Sequence, residues 1–250
     1  MTLPVYLDEG LRGKPHHLGD TLVLEGDEAK HAHVKRTEIG ERIDVVDGGG
    51  LRVTVRVTQS SPSLLSGTVV ESVVEAEPVS RLTLVQALAK GGRDESAIES
   101  AVEIGVLGIV PWQADRSIVR WSGPKADKGV AKWQQVARAA MKQSRQAFLP
   151  KVSSVATTKQ LAERVRESTS SGTRIFICHE SAETGLAGVD VARGPAWIIV
   201  GPEGGISEAE LELLVSAGGE PVLLGPSVLR SGTAGAVAAT VLQVRSGAWG

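Results

Sequence analysis

Short alternating or β-branched runs separated by turns fill the chain to about residue 75: TLVLEG, ERIDVVDGGG and LRVTVRVTQ. Alternation with a period of two sends one side of each run to a core and the other to water, as in antiparallel strands. Asp47, Gly48, Gly49 and Gly50 fall between two such runs, where a tight hairpin needs positive φ angles. The pattern predicts a small antiparallel barrel or sheet over residues 1–75. The segment VVEAEPVSR, with Pro78 and few large apolar groups, marks a linker over 76–80.

After Arg81 the rhythm changes. LTLVQAL, VLGIVPW, RIFICH, AWIIVG and PVLLG are continuous apolar runs, the mark of strands buried on both faces. Between them lie helical periods. Residues 94–105 place Ala97, Ile98, Ala101 and Val102 on one face, with Asp94 as N-cap and Gly105 as stop. A long helix over 127–146 aligns Val130, Trp133, Ala137, Ala140 and Met141, with Arg138, Lys142 and Arg145 along another side. Further helices are predicted near 159–167, from Ser207, and over the alanine-rich end. Strand and helix in alternation predict an α/β domain over 81–250 with a mostly parallel sheet covered on both faces. In such sheets ligands sit beyond the carboxyl ends of the strands.

The 250 residues, 42% of them hydrophobic, suffice for one large core or two modest ones. No apolar run approaches the roughly 20 residues that cross a bilayer. The start MTLPVYLDEG lacks the basic-then-apolar pattern of a secretory signal, which predicts a cytoplasmic protein without membrane attachment. Cys178 is the only cysteine, so no intrachain disulfide can form. Its place in RIFICH suits a buried apolar residue better than a reactive thiol. His16, His17, His31 and His33 have no carboxylate at ligand spacing, so no metal site is expected. The net charge of −2 conceals a basic island from Arg116 to Lys151, where Asp127 is the only acid.

Two segments carry the candidate chemistry. IIVGPEGGISEAEL runs from a strand into Gly201, Pro202, Glu203, Gly204 and Gly205, then into a helix whose Ser207 and Glu210 have capping-box spacing. Taken alone, this turn either ends a strand or holds a ligand against exposed backbone. It has neither the GxGxxG order of a dinucleotide site nor the GK[ST] ending of a phosphate loop. LLGPSVLRSGTAGAVAAT repeats the design: strand, Gly-Pro turn, helix. Two such turns after consecutive strands are expected side by side, with apolar walls from Ile206, Leu224, Val228 and Leu229 suited to an adenine ring and ribose. Arg230 stands at the mouth, either as a functional cation or in an ordinary surface ion pair.

These two motifs resemble the C-terminal half of the SPOUT methyltransferases, and more narrowly the ribosomal RNA small subunit methyltransferase E family, whose members methylate N3 of a uridine in 16S rRNA. KGGRDESAIESAVEIGVLGIVPWQADRS and KQSRQAFLP extend the similarity upstream, as does HAHVKR followed by DGGG near the start. The sequence departs from the family at Ser231 and Gly232, where an acid and a threonine are usual, and at the opening VYLDEG, where an aromatic start is usual.

The resemblance implies S-adenosyl-L-methionine as cofactor, a deep trefoil knot in the SPOUT domain, a PUA-like N-terminal β-barrel, and a homodimer with its site near the subunit interface. It places His179, Gly201, Pro202, Gly204, Gly205, Leu224, Gly225, Val228 and Leu229 around the cofactor. Methylating N3 requires the imide proton to leave, and a cation near O2 or O4 stabilises the developing anion; Arg230 or Arg116 could supply it. Glu203 is either a general base or an anchor of its turn. Lys35 and Arg36 of the N-terminal domain, with Lys128, Lys132, Arg138, Lys142 and Arg145, form the expected RNA contacts, on naked 16S rRNA or an assembled small ribosomal subunit. Aromatic residues are only 3% of the chain, which leaves few platforms for stacking single-stranded bases. Two other readings stay open: a SPOUT enzyme acting on a ribose 2'-hydroxyl or a guanine, and a non-catalytic RNA-binding assembly factor.

Overall fold

The computed structural model describes residues 3–191 and 194–249. It divides into two compact units, the first running to Glu77 and adding Met141–Leu149, the second comprising Pro78–Ala140 and Pro150–Gly250.

The first unit holds β1 (Val5–Leu7), β2 (Thr21–Glu25), α1 (Gly26–Val34), β3 (Arg42–Val46), β4 (Leu51–Ser60) and β5 (Leu64–Val74). Its sheet runs β1-β3-β4-β5-β2, antiparallel except for the β1–β3 pair. Alternation works as expected: Leu22 and Leu24, Ile43 and Val45, and Val53, Val55 and Val57 turn inward onto Tyr6 and Leu65. Helix α1 lies outside the expected pattern of strands. It contributes only Ala29 and Ala32 to the core, too short an apolar stripe to stand out in the sequence.

The Asp47 hairpin needs glycine for two reasons. Gly48 and Gly50 have φ of +72° and +105°, and the Asp47 carboxylate accepts from the Gly49 and Leu51 amides at 2.7 and 2.9 Å. The segment 141–149 also presses on the turn: a Cβ on Gly50 would stand 2.7 Å from the Phe148 ring and one on Gly48 2.9 Å from Leu149 Cβ. Backbone bonds from Leu149 to Gly48 and from Gly50 to Ala147 seal the contact. This return of the chain to the first unit separates 141–149 from the continuous 81–250 domain expected from sequence.

The second unit comprises β6 (Arg81–Ala87), α2 (Arg93–Glu103), β7 (Gly108–Gln113), α3 (Pro124–Gln143), β8 (Lys151–Val152), β9 (Ala156–Thr157), α4 (Thr158–Ser170), β10 (Arg174–Cys178), β11 (Pro195–Val200), α5 (Glu208–Ser216), β12 (Glu220–Val222) and α6 (Ser231–Arg245); the last turn of α3 falls in the first unit. The sheet order is β12-β10-β11-β6-β7-β8 with β9 beside β7, and every pair is parallel. The α/β class with a parallel sheet is therefore as expected. Ile175, Ile177, Ile199, Val85, Val110 and Trp112 form the centre of one buried cluster.

Three local expectations need correction. Gly92, left-handed at φ +76°, precedes α2 in the cap position, while Asp94 lies inside the helix and accepts from the Ala89 and Glu95 amides. Helix α3 starts and ends three residues early, because Pro124 suits a first turn and Arg145 is left-handed at φ +61°. Bonds from Gln146 to Met141 and from Arg145 to Lys142 close that end as a Schellman motif with arginine where glycine is usual. Finally, β11 and β12 are not neighbours: β10 runs between them.

A candidate cofactor cleft at the carboxyl edge of the sheet

Because β12, β10 and β11 are parallel and adjacent in that order, the segments leaving their carboxyl ends gather at one edge. They bound a cleft of about 690 Å³, within the roughly 300–1,000 Å³ range of small-molecule sites. His179, Gly201, Pro202, Gly204, Gly205, Leu224, Gly225, Val228 and Leu229 all line it, with Glu203 and Arg230. The insertion of β10 between the two Gly-Pro strands puts His179 in the middle of the floor. Its Nδ1 lies 3.2 Å from the Ser181 amide, which donates to it, and 2.8 Å from the Ser181 hydroxyl.

The GPEGG turn is pinned at several points. Ile206 is buried beneath it, and a Cβ on Gly201 would stand 2.7 Å from Ile206 Cγ1, so glycine here permits close approach. The Ser231 hydroxyl donates to the Gly201 carbonyl at 2.7 Å and receives a bond from Gln86 Nε2 at 2.9 Å. Ser231, notable in the sequence only as a departure from family usage, thus ties the start of α6 to the turn after β11. On the other side Arg116 Nη1 donates to the Gly204 carbonyl at 3.0 Å. Arg116 does not line the cleft; it clamps the turn from outside. Glu203 Oε1 accepts from Arg93 Nη1 at 2.9 Å. Arg93 was not among the expected site residues, because the ion pair joins positions 110 apart in sequence.

Behind the turn, the predicted capping box is formed: Ser207 Oγ accepts from the Glu210 amide while the Glu210 carboxylate accepts from the Ser207 amide. Glu210, only 2% exposed, also accepts from the Asp115 amide at 2.8 Å and the Thr158 hydroxyl at 2.7 Å. Trp112 Nε1 donates to the same Thr158 oxygen. One buried carboxylate therefore joins the ends of β7 and β9 to the helix that follows the turn.

The loop from Leu224 to Arg230 presents a different surface. Among the described residues, no backbone hydrogen bond is made by the amides of Gly225, Val228 or Leu229, and Val228 is 83% exposed. Arg230 precedes α6 with extended backbone and no side-chain cap, and its guanidinium makes no hydrogen bond or ion pair among the described residues.

Cys178 also borders the cleft, and burial pushes its thiol up to about 12. At pH 8 only about one thiol in 10⁴ would be ionised. Cys178 is half-buried, so the raised pKa is what limits its reactivity. A disulfide reagent at pH 8 is expected to leave the native protein unlabelled over minutes and to titrate one thiol after denaturation; rapid native labelling would refute the raised pKa.

The expected RNA-contact residues fall into two groups. Lys35 and Arg36 are exposed at the end of α1, with Arg36 left-handed at φ +58°. Lys128 is exposed on α3, whereas Lys132 pairs with Glu95, which raises its pKa, and Arg138 is half-buried. Lys142 departs from expectation: its ammonium pairs with Glu28 at 2.5 Å and its side chain is 15% exposed. Arg145 has an exposed side chain and a backbone carbonyl that accepts from Arg52. The basic positions on α3 and after it are therefore not a uniform row of solvated cations. Among the described residues, no group of three or more His, Cys, Asp or Glu side chains could hold a metal ion, and no helix is long and apolar enough to cross a membrane.

Comparison with known proteins matches residues 75–243 to an RNA methyltransferase domain and residues 24–70 to an RNA methyltransferase PUA domain. The chain is 40% identical over 235 residues to ribosomal RNA small subunit methyltransferase E of Mycobacterium bovis, covering 92% of this chain and 89% of that protein. The Bacillus subtilis protein of the same name is 29% identical over 86% of each chain. Among solved structures, that of the Neisseria gonorrhoeae enzyme bound to S-adenosyl methionine superposes with a TM-score of 0.85 at 26% identity, covering 97% of both chains. The chain belongs to the ribosomal RNA small subunit methyltransferase E family.

Proposed function

We propose that the cleft binds S-adenosylmethionine and that the protein transfers its methyl group to N3 of a uridine in 16S rRNA. The observation that carries this reading is the convergence of the segments after β10, β11 and β12 on one cleft of about 690 Å³. The lining fits the cofactor's chemistry. Leu224, Val228 and Leu229 offer apolar surface for an adenine, the exposed loop backbone offers donors and acceptors for its edge and for the ribose, and Glu180 and Glu203 bring negative charge towards a cationic ligand. When bound, S-adenosylmethionine supplies an electrophilic methyl group on a sulfonium sulfur.

The chain's own residues account for the rest. A neutral uridine N3 holds a proton and is a poor nucleophile, so its deprotonation must be favoured. Arg230, at the mouth with its guanidinium unengaged, is placed to stabilise the negative charge that spreads to O2 and O4. Arg116 spends a donor on Gly204 and acts on the turn. The family also supports a trefoil knot in the segment that carries β11, β12 and α6, a homodimeric and cytoplasmic enzyme, and action on the small ribosomal subunit.

RNA affinity rests in part on exposed cations, of which Lys128 is a clean probe because it has an exposed side chain on α3. Lys128→Glu is expected to weaken RNA binding and to reduce the slope of log affinity against log salt by about 0.7–0.9 per lost phosphate contact. An unchanged slope would remove Lys128 from the interface. The central test is incubation of undermodified small subunits with isotopically labelled S-adenosylmethionine, followed by nucleoside mass spectrometry. Labelled 3-methyluridine is the expected product; a different labelled nucleoside would refute the assigned base.

A further inference from the structure

We infer that Arg93 is a positioning residue of the cleft: it holds Glu203, and through it the Gly201–Gly205 turn, in the shape that receives the cofactor, so that Glu203 is an anchor and not the general base. The inference rests on the S-adenosylmethionine reading above.

The turn has three corners that other segments hold. Ser231 takes the Gly201 carbonyl, Arg116 takes the Gly204 carbonyl, and Arg93 takes the side chain between them, with Nη1 at 2.9 Å from Glu203 Oε1. Arg93 also meets the third segment of the site, since a Cβ on Gly232 would stand 3.2 Å from its carbonyl oxygen. One residue thus touches both the turn after β11 and the start of α6.

The local sequence is built to deliver it there. Gly91 and Gly92 have φ of +70° and +76° with nothing within 4 Å of an added Cβ, so glycine serves backbone conformation and not space. Two successive left-handed residues turn the chain after β6 and set Arg93 as the first residue of α2, beside the cleft. One of the two carboxylate oxygens of Glu203, Oε1, is already engaged by the guanidinium. The side chains of Arg93 and Glu203 are 53% and 28% exposed. Such a pair contributes little to folding, so its use is local.

The test is calorimetric titration of S-adenosylmethionine into the unaltered protein, Arg93→Ala, Arg93→Lys, Glu203→Gln and the double variant Arg93→Ala/Glu203→Gln, with the pH–rate profile of Glu203→Gln. Each single neutralising change is expected to weaken cofactor binding about threefold or more. The double change should be no worse than either single one, as for two residues acting as a unit. Arg93→Lys should recover most of the affinity, and the acidic limb of the Glu203→Gln profile should stay in place. Full affinity in Arg93→Ala, additive losses in the double variant, or loss of the acidic limb in Glu203→Gln would overturn the inference alone. Failure of the unaltered protein to bind S-adenosylmethionine would overturn the cofactor reading and this inference with it.

Discussion

Arg230→Ala is expected to slow methyl transfer by about 10²–10³-fold, the usual loss when one preorganised donor to a developing anion is removed, while cofactor affinity and folding stay close to those of the unaltered protein. The separation follows from how Arg230 is built into the chain. Its backbone carbonyl accepts from the Thr233 and Ala234 amides and so starts α6, but its side chain takes no part in capping. Alanine keeps the backbone and removes only the guanidinium. That group lies at the rim of the cleft and makes no hydrogen bond or ion pair among the described residues, so its removal strands no buried partner. Single-turnover rates at saturating cofactor, set beside calorimetric affinity, provide the check. Unchanged turnover would take Arg230 out of the chemistry, and a loss confined to cofactor binding would make it a binding residue.

Glu210→Ala should act in the opposite way, through folding. The carboxylate accepts from the Asp115 and Ser207 amides and from the Thr158 and Ser207 hydroxyls, at 2.7–3.1 Å. Removing a buried charge relieves its desolvation, yet here the charge is already met by four donors. Alanine would leave the Thr158 hydroxyl and the Asp115 amide without their acceptor, at about 1–3 kcal/mol for each stranded group. A net loss of about 3 kcal/mol is expected, which lowers the midpoint of thermal unfolding by roughly 6–12 °C for a domain of this size. Cofactor affinity should fall as well, because Asp115 precedes the Arg116 that clamps Gly204. A midpoint shift under about 2 °C would show that the network is redundant.

Most of what the sequence showed lay in local periodicity. The apolar runs became β6, β7, β10, β11 and β12, the capping box at Ser207 formed, and the turn glycines at Gly48 and Gly50 took positive φ. The nine positions assigned to the cofactor all line one cleft, because each immediately follows the carboxyl end of a strand or lies in the loop beyond it. Helix α1 escaped notice because two alanines make a weak stripe. The end of α3 lies three residues before the expected one because its stop is an arginine in a left-handed conformation, which carries none of the signal of glycine.

The sequence by itself determined the alternation of the long apolar strands with helices after Arg81 and the family, since these depend on residues near one another in the chain. Only the tertiary structure decided that β10 separates the two Gly-Pro strands, that 141–149 returns to the first unit, that Lys142 is committed to Glu28, and that Glu203 belongs to Arg93. Each of these is a contact between residues far apart in sequence. A charged side chain reads the same in a sequence whether it faces water or a partner, and packing alone sets which it meets.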